Sequence, residues 1–326
     1  MRSCFSATHI LGVLLSLGCC LYSGYGYAAE PCISCTLSTP KTEYVIGEPL
    51  ELRVTLTNDG DAPVTFIQPS EVGIVPVRVY IIPPGGSSWQ MFSPALHQDY
   101  GVRWLTLGAG ESISVRGAIL ARDAGKDAGA GPHWVLYVSG EYQVKAVFSV
   151  KLREQWLSSD VEPPTISSEE LHISVRRPSE EEAKALAVWG EGLRDYGYSV
   201  NALAPNPSLM TLLREYPDTI YADHVNYALA EDPTIVFDED LQGQTGTEYQ
   251  ASLLEKVLSH GSRFPLRDAA MLRLAELYAV QNRYSDAVNQ LEQLRAEIPD
   301  SMFADKAEER LPGFEERVEE LGVTGE

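Results

Sequence analysis

Tyr216-Pro217-Asp218-Thr219-Ile220-Tyr221-Ala222-Asp223 returns near the C-terminus as Ile298-Pro299-Asp300-Ser301-Met302-Phe303-Ala304-Asp305, and a looser copy stands at Phe264-Pro265-Leu266-Arg267-Asp268-Ala269-Ala270. Pro265 and Pro299 are 34 residues apart, whereas Pro217 and Pro265 are 48 apart. The first unit therefore carries an insertion of about 14 residues, assigned to the acidic loop 234–246. Self-similarity at such a period marks stacked helix pairs, because one pair cannot bury its apolar face alone. The flanking composition agrees. Beyond Pro178 the chain turns to Ala, Glu and Leu, and Ser179 with Glu182 three positions on is a capping-box start.

Upstream the pattern changes period. From Lys41 to Pro178, β-branched and aromatic residues alternate with polar ones: Leu50, Leu52, Val54 and Leu56 fall on one face of a strand, and Glu51, Arg53, Thr55 and Thr57 on the other. Asn58-Asp59-Gly60-Asp61 is a turn. Further strands are predicted at Val64–Ile67, Val75–Ile82, Arg103–Leu107, Ser112–Ile119, Trp134–Val138, Glu141–Val150 and Leu171–Val175. With no helical pattern between them, they make an antiparallel β-sandwich. Gly125–Pro132 and 158–170 are extended connections. The fold class is thus an all-β domain at 30–177 followed by an all-α domain at 178–326, expected to fold independently.

Residues 1–29 read as a signal peptide: Met1-Arg2, an apolar run from Ile10 to Tyr22, then Gly26-Tyr27-Ala28-Ala29 at the cleavage position. Processing as a lipoprotein anchored at Cys19 is the alternative. Either way the mature chain is periplasmic or extracellular, and no later stretch suits a membrane span. Of the net charge of −21, the segment 178–326 carries −17 and 30–177 carries −5. So acidic a surface argues against nucleic acid as a partner, since that binding depends on Lys and Arg neutralising phosphates.

Between Asp268 and Pro299 the residues resemble the tetratricopeptide repeat. Leu274, Ala275 and Tyr278 stand at its Leu-Gly-x-x-Tyr motif, Asn282 at its turn glycine, and Tyr284, Ala287, Leu291 and Pro299 follow at its spacing. Ala275 in place of glycine and Leu294 in place of the usual alanine are mild departures. The resemblance implies that Ala275 and Ala287 let two helices approach, that Tyr278, Tyr284 and Leu291 fill the gap between pairs, and that Asn282 takes a left-handed stop. It also implies that Ala269, Leu272, Glu276, Ala279 and Val280 line a partner groove, or else pack on the neighbouring repeat. Likewise Tyr44 to Asn58, with Gly140-Glu141-Tyr142, resembles the immunoglobulin-like modules of bacterial surface proteins, including the proteinase-inhibitor type.

Candidate chemistry is sparse. Cys32-Ile33-Ser34-Cys35 lacks a second pair or a His partner, so a local disulfide is expected in an oxidising compartment. His9, His97, His133, His172, His224 and His260 form no metal-spaced pair and are given no catalytic role. Asp238-Glu239-Asp240 is either an ion-binding or a solvated loop. No cofactor and no metal are expected. The expected function is a non-catalytic, exported scaffold that binds a protein or peptide; the alternative is an accessory or inhibitor protein of a secreted hydrolase.

Overall fold

The computed structural model describes residues 32–69, 76–92, 103–120, 134–150, 163–194, 207–231 and 246–323. The segment read as a signal peptide, with Cys19, the loop at 125–132, Asp238 to Asp240, and His9, His97 and His133 lie outside the described residues. Met1–Cys32 is one unit, and Ile33–Glu326 forms another, compact one.

The N-terminal half is β-rich. One sheet takes β1 (Ile33–Ser38), β3 (Leu50–Asn58) and β8 (Ser112–Ile119) in that order. A second takes β2 (Glu43–Val45), β11 (Leu171–Arg176), β9 (Gly140–Ser149), β5 (Val77–Ile82) and β6 (Gln90–Phe92), with β10 (Thr165–Ser167) paired to β9. A ribbon of β4 (Val64–Ile67) and β7 (Trp104–Leu107) completes it. Because side chains alternate along a strand, Leu52, Val54 and Leu56 of the first sheet meet Val79, Ile81, Val144, Ala146 and Phe148 of the second in one core. Phe66 packs edge-on against Phe148 with ring centroids 5.3 Å apart.

Two expectations need correction. The sandwich is not purely antiparallel: β2 runs parallel to β11, Tyr44 opposite Val175. The strand predicted at Trp134–Val138 does not form. Instead the Tyr142 hydroxyl accepts hydrogen bonds from the amides of Tyr137 and Val138 (3.2 and 3.1 Å) and donates to the Val138 carbonyl (3.0 Å), which turns that segment.

The C-terminal half is helical: α1 (Glu180–Arg194), α2 (Pro207–Glu215), α3 (Ile220–Glu231), α4 (Gly246–Ser259), α5 (Arg267–Val280), α6 (Tyr284–Glu297) and α7 (Ala304–Val323). The capping box at α1 is reciprocal. The Ser179 amide donates to Glu182 Oε2 at 2.8 Å, and the Glu182 amide to Ser179 Oγ at 3.2 Å. Between α5 and α6, Asn282 has φ 60°, the left-handed turn that a short amide side chain tolerates. Helix α7 buries Ala307 and Leu311 and exposes Glu308, Glu309, Glu315, Glu316 and Glu319, a polar outer face suited to the end of a stack.

Candidate interaction site

The turn joining β2 to β3 is wedged into the helices. Val45 and Leu120, though in the β-rich half, belong to the helical core with Trp189 and Tyr221. Gly47 takes φ +79°, and a Cβ there would lie 2.2 Å from Leu186 Cδ1, so glycine is needed for both conformation and space. The Trp189 indole donates to the Gly47 carbonyl at 3.3 Å, and the Tyr221 hydroxyl to the Ile46 carbonyl at 2.6 Å. Glu48, 1% exposed, accepts the Val45 amide at 3.0 Å and pairs with Lys41, whose ammonium also donates to the Arg263 carbonyl at 3.1 Å. Among the described residues His224 Nε2 has no hydrogen-bond partner, and it lies 4.0 Å from Glu48 Oε1.

A second contact is built from the polar face of β3 and β8. Arg53 and Arg116 stand opposite each other in the ladder. Arg116 grips Asp268 of α5 in a two-pronged pair at 3.0 and 2.6 Å, to which Ser301 Oγ adds a donor at 2.7 Å. Arg53 donates to the Asp300 carbonyl at 2.8 Å, and the Arg116 guanidinium lies over the Phe303 ring at 5.0 Å. Burial opposes ionisation of Asp268. The Arg116 bonds outweigh it and hold the carboxyl below the usual range. Glu51, on the same face and 2% exposed, has no such bond among the described residues. Burial, helped by Glu48 and Asp268 and opposed by Arg116, pushes its carboxyl up to about 8.

Besides α1, the helices touched are α3, α5 and the start of α7, each of which begins within one copy of the repeated segment. Their N-terminal ends therefore face the sandwich. Farther along the same helices, an ion-pair ladder runs from Glu231 of α3 to Arg273 and Glu276 of α5 and on to Arg310 of α7, with Glu231 and Arg273 3.9 Å apart and Arg273 and Glu276 3.2 Å apart.

The residues expected to line a groove are thus divided. Ala269 and Leu272 are buried, and Ala279 is half-buried. Glu276 has basic contacts from within the chain, Arg273 and Arg310. Val280 is 67% exposed. Leu274, Ala275, Tyr278, Ala287 and Leu291 are buried, Tyr278 donating to Glu255 Oε1 at 2.7 Å. Tyr284 packs on Phe314 of α7, and Pro299 is exposed just beyond α6.

The expected Cys32–Cys35 disulfide is absent: both thiols are free, Cys32 exposed and Cys35 buried in β1. Burial pushes the Cys35 thiol up to about 11.

Of the remaining titratable groups, Asp223 is fully buried and meets His260 Nδ1 at 2.8 Å and Arg263 Nε at 2.9 Å. The other His260 nitrogen lies 3.5 Å from the Asp218 carboxylate, not from a hydroxyl or thiol, so the cluster ties α4 to α3. Among the described residues, no group of three or more His, Cys, Asp or Glu could hold a metal ion, and no helix is long and apolar enough to cross a membrane.

Sequence reasoning missed the contact between the halves. Its signals were Arg53 and Arg116, long cations on faces that otherwise carry Glu51 and the small residues Thr55, Thr57, Ser112, Ser114 and Ala118, and the apolar Val45-Ile46 before Gly47.

No family model and no curated protein matches the chain. Among solved structures, it is similar to the CARDB domain of a Pyrococcus furiosus protein in complex with di-metal ions, at 18% identity and TM-score 0.23 over 45% of this chain and 89% of that one. It is also similar to a Listeria innocua β-glucosidase (14% identity, TM-score 0.25, 48% of this chain and 18% of that one). A third similarity is to the Pseudomonas fluorescens alkylpurine DNA glycosylase AlkC (14% identity, TM-score 0.27, 45% of this chain and 31% of that one).

Proposed function

We propose that the chain is a non-catalytic, exported interaction scaffold in which an immunoglobulin-like sandwich and a tetratricopeptide-like array hold a partner protein or peptide. The observation that carries this reading is the face made by α3, α5 and α7. Its N-terminal part grips a β-domain through Tyr221, Asp268 and Phe303, and its C-terminal part leaves Val280 exposed beside half-open charges. A surface that recognises one folded element by paired charges and apolar contact is suited to recognising another. The finer fold reading is supported by the left-handed Asn282, the buried Ala275 and Ala287, and the tyrosine corner at Tyr142. The leader supports export.

The partner fitting the open part places an apolar side chain on Val280 and exchanges charges with Glu231, Arg273, Glu276 and Arg310. Mild crosslinking followed by co-purification from the native envelope fraction tests this, with Val280→Asp and Arg310→Glu as comparison chains. The captured protein is expected to fall away with both variants. Equal capture by all three chains would place the binding surface elsewhere.

A further inference from the structure

We propose that Glu51 makes the contact between sandwich and helices a pH-responsive latch, closed in mild acid and loosened as that carboxyl ionises. The placement of Glu51 carries the inference. It lies on the β3 face that the helices cover, 2% exposed, and among the described residues its side chain has neither an ion pair nor a hydrogen bond. Every other charge there is engaged: Glu48 with Lys41, and Asp268 with Arg116, Arg53 and Ser301. The groups facing Glu51 are Glu48 from the β2–β3 turn, Arg53 on its own strand, Arg116 from β8, Tyr227 from α3 and Asp268 from α5, with His224 of α3 beside Glu48. Two of these are carboxylates and the two guanidiniums are committed, so a charge on Glu51 would be buried without a counter-ion of its own, a costly state. Parting the halves lets water reach it.

The sign follows from linkage. The carboxyl rises from an ordinary value of 4.5 to about 8 when the contact is closed, so the closed state holds a proton that the parted state has lost. Its stability is complete below about 4.5, declines as pH rises, and has lost this contribution by about 8. Over that window the parting equilibrium grows by up to about tenfold per pH unit. Parting uncovers Tyr221, His224, Asp268 and Phe303. That this regulates partner binding rests on the interaction reading; the latch itself does not.

Thiol accessibility tests the latch on the full chain. Val45 is 2% exposed within the helical core, and Cys35 is buried in the sandwich core. In a Cys4→Ser, Cys19→Ser, Cys20→Ser, Cys32→Ser, Val45→Cys chain, the thiol at position 45 therefore reports parting, and Cys35 reports unfolding of the sandwich. Labelling with a dipyridyl disulfide, corrected at each pH with a small free thiol, is expected to accelerate at position 45 by several-fold to tenfold per unit between pH 5 and 8 and then level off. Cys35 stays slow throughout. Glu51→Gln, and Glu51→Met as a second uncharged variant should the first not fold, remove the acceleration. A flat profile at position 45 overturns the latch, as does the same slope in a Glu51 variant or a slope lost only in His224→Gln. Parallel acceleration at Cys35 overturns it too, because the acid would then govern the whole fold. Partner capture measured separately at pH 6 and 8 distinguishes failure of the latch from failure of the interaction reading.

Discussion

Replacing Gly47 by alanine tests the wedge between sandwich and helices at its tightest point. The substitution has two separable costs. Gly47 has φ +79°, and an L-residue in the left-handed region costs roughly 1–2 kcal/mol. The new methyl would also sit 2.2 Å from Leu186 Cδ1, and overpacking a filled site costs about 1–3 kcal/mol. The expected loss is about 2–4 kcal/mol, since the Leu186 end can swing partly aside. Gly85 provides the control: its φ is +73°, yet nothing lies within 4 Å of its would-be Cβ, so Gly85→Ala carries the backbone cost alone. Urea unfolding of both variants, followed by far-ultraviolet circular dichroism, separates the terms. Leu186→Ala in the Gly47→Ala background should recover the steric part as a coupling of about 1 kcal/mol or more. If Gly47→Ala is no worse than Gly85→Ala, the turn is not wedged against α1 and the reasoning fails.

Asp268→Ala leaves Arg116 and Arg53 facing each other without their shared carboxylate and should cost about 3–5 kcal/mol in the same urea assay, a loss under 1 kcal/mol contradicting the pairing. Ala287→Leu overpacks the α5–α6 contact by about 1–3 kcal/mol, and Asn282→Val adds a β-branched side chain at φ 60°; near-native melting of both would argue against the close helix pair. In a Cys4→Ser, Cys19→Ser, Cys20→Ser chain, titration with a thiol reagent should find one fast thiol, Cys32, and a second, Cys35, only after denaturation; two inert sulfurs that respond to reductant would restore the disulfide. Glu182 accepts two 2.7 Å bonds from Arg176, which bring its carboxyl down to about 2. Its stabilisation is therefore present above the ordinary value near 4.5 and is lost as pH falls toward 2, and Glu182→Gln should flatten that part of the acid-unfolding profile, while an unchanged profile would discount the pair.

Local rules were legible where neighbours in sequence are neighbours in space. The strand at 112–119, the capping box at Ser179 and the left-handed Asn282 each depend on residues within a few positions of one another. What failed depended on distance along the chain. Trp134–Val138 has strand composition, but Tyr142 bends it, and no propensity encodes that hydroxyl's choice of carbonyl. The basic partner of Glu276 was not legible because Arg310, which meets it, lies 34 residues on, two helices later. The expected oxidising compartment and the lack of other partners argue for a bridge at the Cys pair, whereas register with β3 draws Cys35 into an extended strand opposite Leu56. For Ala269 and Leu272, position in a repeat left groove lining and packing on the neighbouring repeat equally open, because it says nothing about what covers them.

The separation between partners has a kinetic consequence. Arg116 and Asp268 are 152 residues apart and Arg53 and Asp300 are 247 apart, while β11 reaches its parallel partner β2 only after the intervening sheet exists. Closing loops of this length is entropically costly and slow. A chain emerging from its N-terminus would hold two bare guanidiniums on β3 and β8 until the last helices arrive, so the contact between the halves is among the latest events of folding.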